Sequence, residues 1–368
     1  MVARTLAMRG RAAIGWGIVA FATLQAGFSW IIDRWEPGLR DPEYGRKRSL
    51  LRARIAEHPD RPLVLALGTS RTAYGLRPGT VSGVTTEGTQ PLVFNFGVLG
   101  GGPLYELVYL NRLLDEGIRP TTVLIEVHPP LLHDVPDLSF VLAPVVERCD
   151  ARDLAVLRRF TAGPVVLYAK WLRLRLVTCH RYRYVLISRA APRWVTEAPP
   201  PDVQGLTKTD QLGWVPYPWD APDDALRRER SLQTVAAYEC AIRDYAVSDA
   251  PDRALREMLD VCRRRQIDAA LVIMPEESEY RRTFARRTHA RAETYLDALC
   301  GEYDVPLFDA REWCDDTDFG DAQHLLREGA DRFSAMFTGD RLHPWLTANR
   351  NGPAASVARR PGSTVQTK

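Results

Sequence analysis

The chain has 368 residues, 45% of them hydrophobic and 26% charged, which excludes wholesale disorder and allows one large core or two modest ones. Its 49 basic and 46 acidic residues give a net charge of +3, too even a balance to argue for a nucleic-acid partner. Six cysteines, at 149, 179, 240, 262, 300 and 314, include no Cys-x-x-Cys pair and no Cys/His spacing of a zinc site. No metal or other cofactor is therefore expected, and buried free thiols are the expected state.

Residues Ala12 to Ile32 carry no charged side chain, and as a helix they would be about 30 Å long, the thickness of the hydrocarbon layer of a bilayer. This predicts a single membrane-spanning anchor. Arg4, Arg9 and Arg11 precede it, so the positive-inside rule keeps the amino terminus in the cytoplasm and places the chain beyond Asp33 outside it. A cleaved signal peptide is the competing reading, because Ala20-Phe-Ala22 has the form of a cleavage site. The uncharged run continues through Trp30, Ile31 and Ile32, which favours a retained anchor. A buried helix of a soluble protein is disfavoured because the stretch is apolar on every side.

Residues 33 to 61 are charged and contain Pro37 and Pro59, which suits a short helical stalk. Leu63 to Leu67 is then an unbroken apolar run between Pro62 and Gly68, predicted to be a strand buried on both faces that turns sharply at the glycine. Ser70 follows at the carboxyl end of that strand, where open α/β sheets bind ligands; the alternative is that it caps the next turn. Leu92 to Phe96 reads as a second strand, Gly97 to Pro103 as a loop with four glycines, Tyr105 to Leu114 as a helix, and Thr122 to Val127 as a third strand. That order predicts right-handed crossovers in a parallel sheet.

The pattern breaks after His128-Pro-Pro130. Ala151 to Arg189 has helical runs with Trp171, Arg173, Arg175, Arg181, Tyr182, Arg183 and Tyr184. These read as a basic surface against anionic lipid, or as a solvated face whose long side chains cover apolar surface. Ala198 to Asp223 is a proline-rich loop carrying Trp214, Tyr217 and Trp219. These aromatics are predicted to stack on a sugar substrate, on a loop stiffened by Pro216 and Pro218; the alternative is that they fill a gap between this segment and the sheet. Helix and strand then alternate again: a helix around Arg253 to Arg265, a strand Ala269 to Met274, a helix Phe284 to Cys300, a strand Pro306 to Asp309, and a last helix after His324.

The predicted fold is therefore α/β, a three-layer doubly wound parallel sheet with a helical insertion and an N-terminal transmembrane helix. Residues 1–33 form a cytoplasmic stub and anchor, 34–347 the α/β domain with its insertion at about 131–250, and 348–368 a tail expected to be disordered.

Three separated blocks carry a family resemblance. Gly68-Thr-Ser70, the block Asn95-Phe-Gly-Val-Leu-Gly100, and Asp321-Ala-Gln-His324 with Leu325 and Gly329 after it together resemble the SGNH (GDSL-like) hydrolase superfamily. Asp340 and His343 share the spacing of the last block but lack its leucine and glycine. The resemblance covers about 63–130 and 265–340, and it is nearest to outlying membrane-anchored members, those of alginate O-acetylation and teichoic acid D-alanylation. It implies the flavodoxin-like version of the sheet, with Ser70 as nucleophile, His324 as base, Asp321 as the group orienting it, and the amides of Ser70 and Gly100 as oxyanion donors.

Two departures accompany the match. Thr69 stands where the family has aspartate, and Ile125-Glu-Val-His-Pro-Pro130 stands where the family supplies an asparagine donor. His128 is then the expected third donor, unless two suffice or catalysis has been lost. Arg71 is expected beside the substrate. The expected function is that of a membrane-anchored extracytoplasmic serine esterase or O-acyltransferase in a bacterial-type membrane. It would act on an envelope glycan or lipid, with a membrane-bound acyl-transfer protein as a further partner. The alternative is a non-catalytic envelope protein that binds a polysaccharide or an acyl-transfer partner on the same fold.

Overall fold

The computed structural model describes residues 2–80, 90–133, 146–161, 163–183, 208–243, 245–283 and 286–351, with 187, 191 and 194 as isolated positions. Its centre is a five-stranded sheet of β1 (Leu63–Gly68), β2 (Leu92–Gly97), β3 (Thr122–Glu126), β4 (Asp268–Ile273) and β5 (Leu307–Asp309). The order is β2-β1-β3-β4-β5, with every pairing parallel. After β1 the chain moves outward to β2 and then returns past β1 to β3. The carboxyl ends of β1 and β3 therefore flank the point where the strand order reverses, and a ligand crevice belongs there.

Alternating residues explain why the strands are apolar throughout. Leu65 and Leu67 with Phe94, Phe96, Val123, Ile125, Leu271 and Ile273 face one core. Helices α2 (Pro42–Glu57), α4 (Pro103–Asp115), α9 (Asp249–Arg264) and α11 (Arg286–Tyr303) pack there. Val64, Ala66, Leu124, Ala270 and Val272 face the other core, under α12 (Arg327–Phe337) and α13 (His343–Asn351), with Phe333 and Phe337 at its centre. Helices on both faces leave no strand side in water. Between β1 and β2 lies the short α3 (Ser70–Gly75).

Before the sheet, α1 runs Val2–Trp35, and its Ala12–Trp35 part has a mean hydropathy of 1.4, long and apolar enough to cross a membrane. The expected stalk is instead packed onto the sheet. In α2, Tyr44 and Leu51 join the core, and buried Lys47 donates from Nζ to Gly97 O at 2.7 Å and Asn95 O at 3.4 Å. β2 is an edge strand of the described sheet, so among the described residues no further strand reaches these carbonyls. Burial lowers the Lys47 pKa to about 8 against the opposing pull of Glu43 and Asp210.

Between β3 and β4 the described insertion contains α5 (Ala151–Leu157), α6 (Pro164–Arg175), α7 (Thr178–Arg181) and α8 (Asp224–Arg243), and α10 (Ser278–Thr283) follows β4. The expected basic outer face is present in part: Arg173 is exposed on α6, but Arg175 points inward to Asp33 and Ser29 of α1, and Val165, Val166 and Leu172 are exposed. Tyr184 lies outside the described residues. The last helix continues to Asn351, three residues past the Ala348 at which the tail was expected to begin; 352–368 are outside the described residues. Cys149, Cys262 and Cys314 are buried free thiols.

Candidate active site

The turn after β1 is held from below by one carboxylate. Glu126, at the end of β3 and buried, accepts from Thr69 N at 2.7 Å, Thr69 Oγ1 at 2.9 Å, Thr72 N at 3.2 Å and Thr72 Oγ1 at 2.6 Å. A Cβ at Gly68 would collide with Glu126 and Thr72, which is why glycine ends the strand. Asn95, fully buried in β2, holds the other end of α3 by donating to Thr72 O at 2.7 Å and Leu76 O at 2.5 Å. Its Oδ1 accepts from Gly97 N at 2.9 Å. The amides of Thr69, Arg71, Thr72 and Ala73 are all bonded within this assembly. The Ser70 amide has no protein acceptor among the described residues, so it is open to a ligand.

Ser70 Oγ lies 2.8 Å from His324 Nε2, and His324 Nδ1 lies 2.7 Å from Asp321 Oδ2. A carboxylate accepts only, so Nδ1 carries the proton and Nε2 presents its lone pair to the serine hydroxyl. Asp321 Oδ1 accepts from the amides of Gln323 and His324, both at 2.9 Å. Burial alone would raise the Asp321 carboxyl, but the adjacent His324 ring and these amides outweigh it and hold the pKa below the ordinary aspartate value. Ser70 and His324 are 254 residues apart in sequence and meet because β1 ends at the carboxyl edge of the sheet, over which the 318–326 loop folds.

That loop is anchored at both ends. Phe319 and Leu325 are buried and pair as an antiparallel bridge, and Gly320 N donates to His324 O at 2.9 Å. Gly329 allows the first turn of α12 to close on Asp318, whose backbone and side chain a Cβ would strike. Leu325 and Gly329 thus have structural reasons to follow His324. Asp340 and His343 lie in and after the turn that joins α12 to α13.

The remaining predicted residues divide. Gly100 is exposed with φ +69°, a left-handed conformation suited to glycine, and its neighbour Gly101 packs beside Gly68 O. His128 is buried with Nε2 2.9 Å from Tyr280 Oη. Burial first, then Arg71 and His324, push its pKa well below the ordinary histidine value, so its ring is neutral. Arg71 is not placed to meet substrate from solvent: its side chain is 1% exposed, and Nη2 donates to Met274 O, Pro275 O and Glu276 Oε1. It ties α3 to the end of β4.

The three loop aromatics have three different fates. Trp214 is buried, donating from Nε1 to Tyr74 O at 2.6 Å with the guanidinium groups of Arg77 and Arg327 over its ring, so the expected sugar platform does not include it. Tyr217 is nearly buried; its hydroxyl donates to Asp321 Oδ2 at 3.1 Å and its ring stacks on His324 at 5.9 Å. It supports the triad rather than a ligand. Trp219 is 55% exposed, stands edge-on against Tyr217 and has the Arg230 guanidinium 5.9 Å from its ring centre, so of the three it alone keeps an exposed ring.

Sequence reasoning missed Glu126, Asn95 and Tyr217 as supports of the site. For Glu126 a signal existed: a carboxylate in an apolar parallel strand must meet donors when buried. In comparison with known proteins, no family model and no curated protein matches the chain.

Proposed function

We propose that this chain is a membrane-anchored serine esterase or O-acyltransferase of the SGNH type, acting outside the cytoplasm on an envelope glycan or lipid. The observation that carries this reading is the unbroken hydrogen-bonded line Ser70 Oγ, His324, Asp321 at 2.8 and 2.7 Å. In the proposed reaction Ser70 Oγ attacks the ester carbonyl carbon while its proton passes to His324 Nε2. Asp321 stabilises the imidazolium that forms. The oxyanion is received by the free amide of Ser70, by that of Gly100, and by the His128 ring if Nδ1 carries its proton. His324 returns the proton to the departing alkoxide, leaving acyl-Ser70, and then deprotonates water or an acceptor hydroxyl that attacks the acyl carbonyl. The strand order and the three sequence blocks support the family assignment, and Arg4, Arg9 and Arg11, in α1 ahead of its uncharged stretch, support the orientation.

The second reading, a non-catalytic envelope protein that binds a polysaccharide or an acyl-transfer partner, is favoured by one observation: Nε2 of His128 is already engaged by Tyr280. A fluorophosphonate separates the two. The full chain in its membrane is expected to gain one phosphonyl adduct, mapped by mass spectrometry to the peptide containing Ser70. Folded protein that takes no adduct would give the binding reading preference.

The loop aromatics supply a further expected result. Trp214→Ala should destabilise the fold by about 3–5 kcal/mol through the cavity and the lost hydrogen bond, read by thermal melting. Trp219→Ala should change stability by less than about 0.5 kcal/mol and weaken turnover of a polymeric substrate more than that of a small ester. An equal loss on both substrates would remove Trp219 from acceptor binding.

A further inference from the structure

Helix α6 is apolar on both of its sides, which is unusual for a helix facing water. Inward, Leu167 packs against the core of the sheet, and beside it Arg175 donates from Nη1 to Asp33 Oδ2 at 2.5 Å and Ser29 Oγ at 2.8 Å, and from Nη2 to Cys149 O at 3.2 Å. Trp171 donates from Nε1 to the same carbonyl at 3.0 Å, under the Arg175 guanidinium. The outward side of α6 carries Val165, Val166, Tyr168 and Leu172, and Leu176 and Val177 follow at its end, each between 41% and 78% exposed. Residues 165, 168, 172 and 176 recur at the spacing of one helix face. No side chain of α6 is buried. Leaving such side chains in water forgoes the stabilisation that covering them would bring, and contiguous apolar surface of this kind marks a contact.

The occupant can be argued from the partners that fasten α6. One face of α1, formed by Gln25, Ser29, Ile32 and Asp33, is covered by the insertion, with Gln25 Oε1 accepting from Cys179 N at 2.9 Å. Asp33 is the first charge after the uncharged run, so it sits where a spanning helix leaves the hydrocarbon. Trp30 and Trp35, 59% and 60% exposed, mark the same level as interfacial aromatics do. Arg175 therefore pins α6 at the membrane boundary, with its apolar stripe beside the exposed apolar side of α1. Arg173, on the exposed side of α6, is a cation suited to anionic headgroups.

We propose that the outer face of α6 lies in the bilayer interface as a second membrane contact, seated in the leaflet at the Asp33 end of α1. This contact stands whether or not Ser70 is acylated. It has a consequence for the site, however. The chain leaving α1 enters α2 within ten residues, and there Glu43 Oε1 accepts from Leu99 N at 3.0 Å, next to Gly100. Two contacts instead of one flexible tether would hold the carboxyl edge of the sheet at a fixed attitude to the lipid surface. That arrangement suits a substrate or acyl donor presented at the membrane.

The test places a diazirine amino acid at Leu172 or Val166 in the full chain, reconstituted in vesicles of phosphatidylethanolamine and phosphatidylglycerol. The adducts formed on illumination are then read by mass. Ile31 on α1 serves as the membrane reference, and Met336 on α12, 37% exposed on the far face of the sheet, as the aqueous one. Lipid adducts at 172 and 166 comparable to those at 31 and several-fold above those at 336 are expected. Addition of water alone at both α6 positions would overturn the proposal, and so would a cross-link to a second copy of the chain, which would make the stripe a protein interface. Retained labelling of Ser70 by fluorophosphonate reports that each variant is folded, where that chemistry is present; otherwise the melting curve does so.

Discussion

Ser70→Ala is expected to lower ester turnover by about ten-thousand-fold or more, with little change in melting temperature. The first part comes from the geometry: the hydroxyl is the only atom of residue 70 that meets His324, and removing it leaves no nucleophile where Nε2 delivers its lone pair. The second comes from the bonds that hold the neighbours in place. His324 keeps its bond to Asp321 and its packing between Tyr74 and Tyr217, and the turn around residue 70 keeps its bonds to Glu126 and Asn95. One hydrogen bond of a half-buried hydroxyl is worth about 1 kcal/mol. Because the three side chains act as a unit, Ser70→Ala combined with His324→Ala should be no slower than Ser70→Ala alone. Asp321→Asn should cost a comparable factor, since it releases the tautomer that points Nε2 at the serine. A wild-type rate in Ser70→Ala would transfer the protein to the binding reading.

The strands were the most legible part of the chain, because a parallel strand covered on both faces has an unbroken apolar run and little else to say. β1, β2, β3 and β4 fall within a residue or two of their predicted spans for that reason. The helical insertion was legible only as a break in pattern. Its side chains are placed by the groups they meet, and nothing in the spacing of Trp171, Arg173 and Arg175 says that Asp33, 142 residues away, will turn Arg175 inward. The same limit applies to Trp214, Tyr217 and Trp219. Their clustering announced a function for the loop, yet one ring seals the core, one braces Asp321 and one is exposed. Composition cannot separate these roles because all three satisfy the same preference for partial burial. At the site, Ser70, His324 and Asp321 were named from short blocks, whereas Glu126 and Asn95, which fix the backbone beneath them, were quoted without a role. A side chain that bonds backbone groups leaves no pairing pattern in the sequence, since every residue has an amide.

Glu126 is where that omission has the largest expected consequence. Its carboxylate is 2% exposed and receives two backbone amides and two threonine hydroxyls from the turn that presents Ser70. Glu126→Ala would strand four buried donors, two of which cannot rotate away, and should destabilise the protein by about 3–5 kcal/mol. Glu126→Gln is the more informative change. It keeps the volume, but one oxygen becomes an amide nitrogen; Oε2 accepts three of the four bonds and Oε1 one, so at least the bond from the Thr69 hydroxyl and the charge that strengthens the other three are lost and the turn must shift. About 2–3 kcal/mol of stability should go with them, and turnover should fall more steeply than substrate binding because Ser70 loses its alignment with His324.

A second readout separates this local effect from general damage. Glu106 in α4 is buried with neither carboxyl oxygen bonded among the described residues, and burial first and the charge of Glu126 second hold its pKa well above 4.5. Folded Glu106 thus keeps a proton that the unfolded chain gives up above about pH 4.5, so the folded state binds more protons and stability falls as pH rises beyond that value. Removing the Glu126 charge lessens the shift, so the fall of stability with pH should level off at a lower pH and be smaller in total in Glu126→Gln than in the wild type. Denaturant melts of the two proteins at a series of pH values above 4.5 would measure it. Profiles that level off at the same pH would mean that the two carboxyls do not interact and that Glu126 supports the turn through its hydrogen bonds alone.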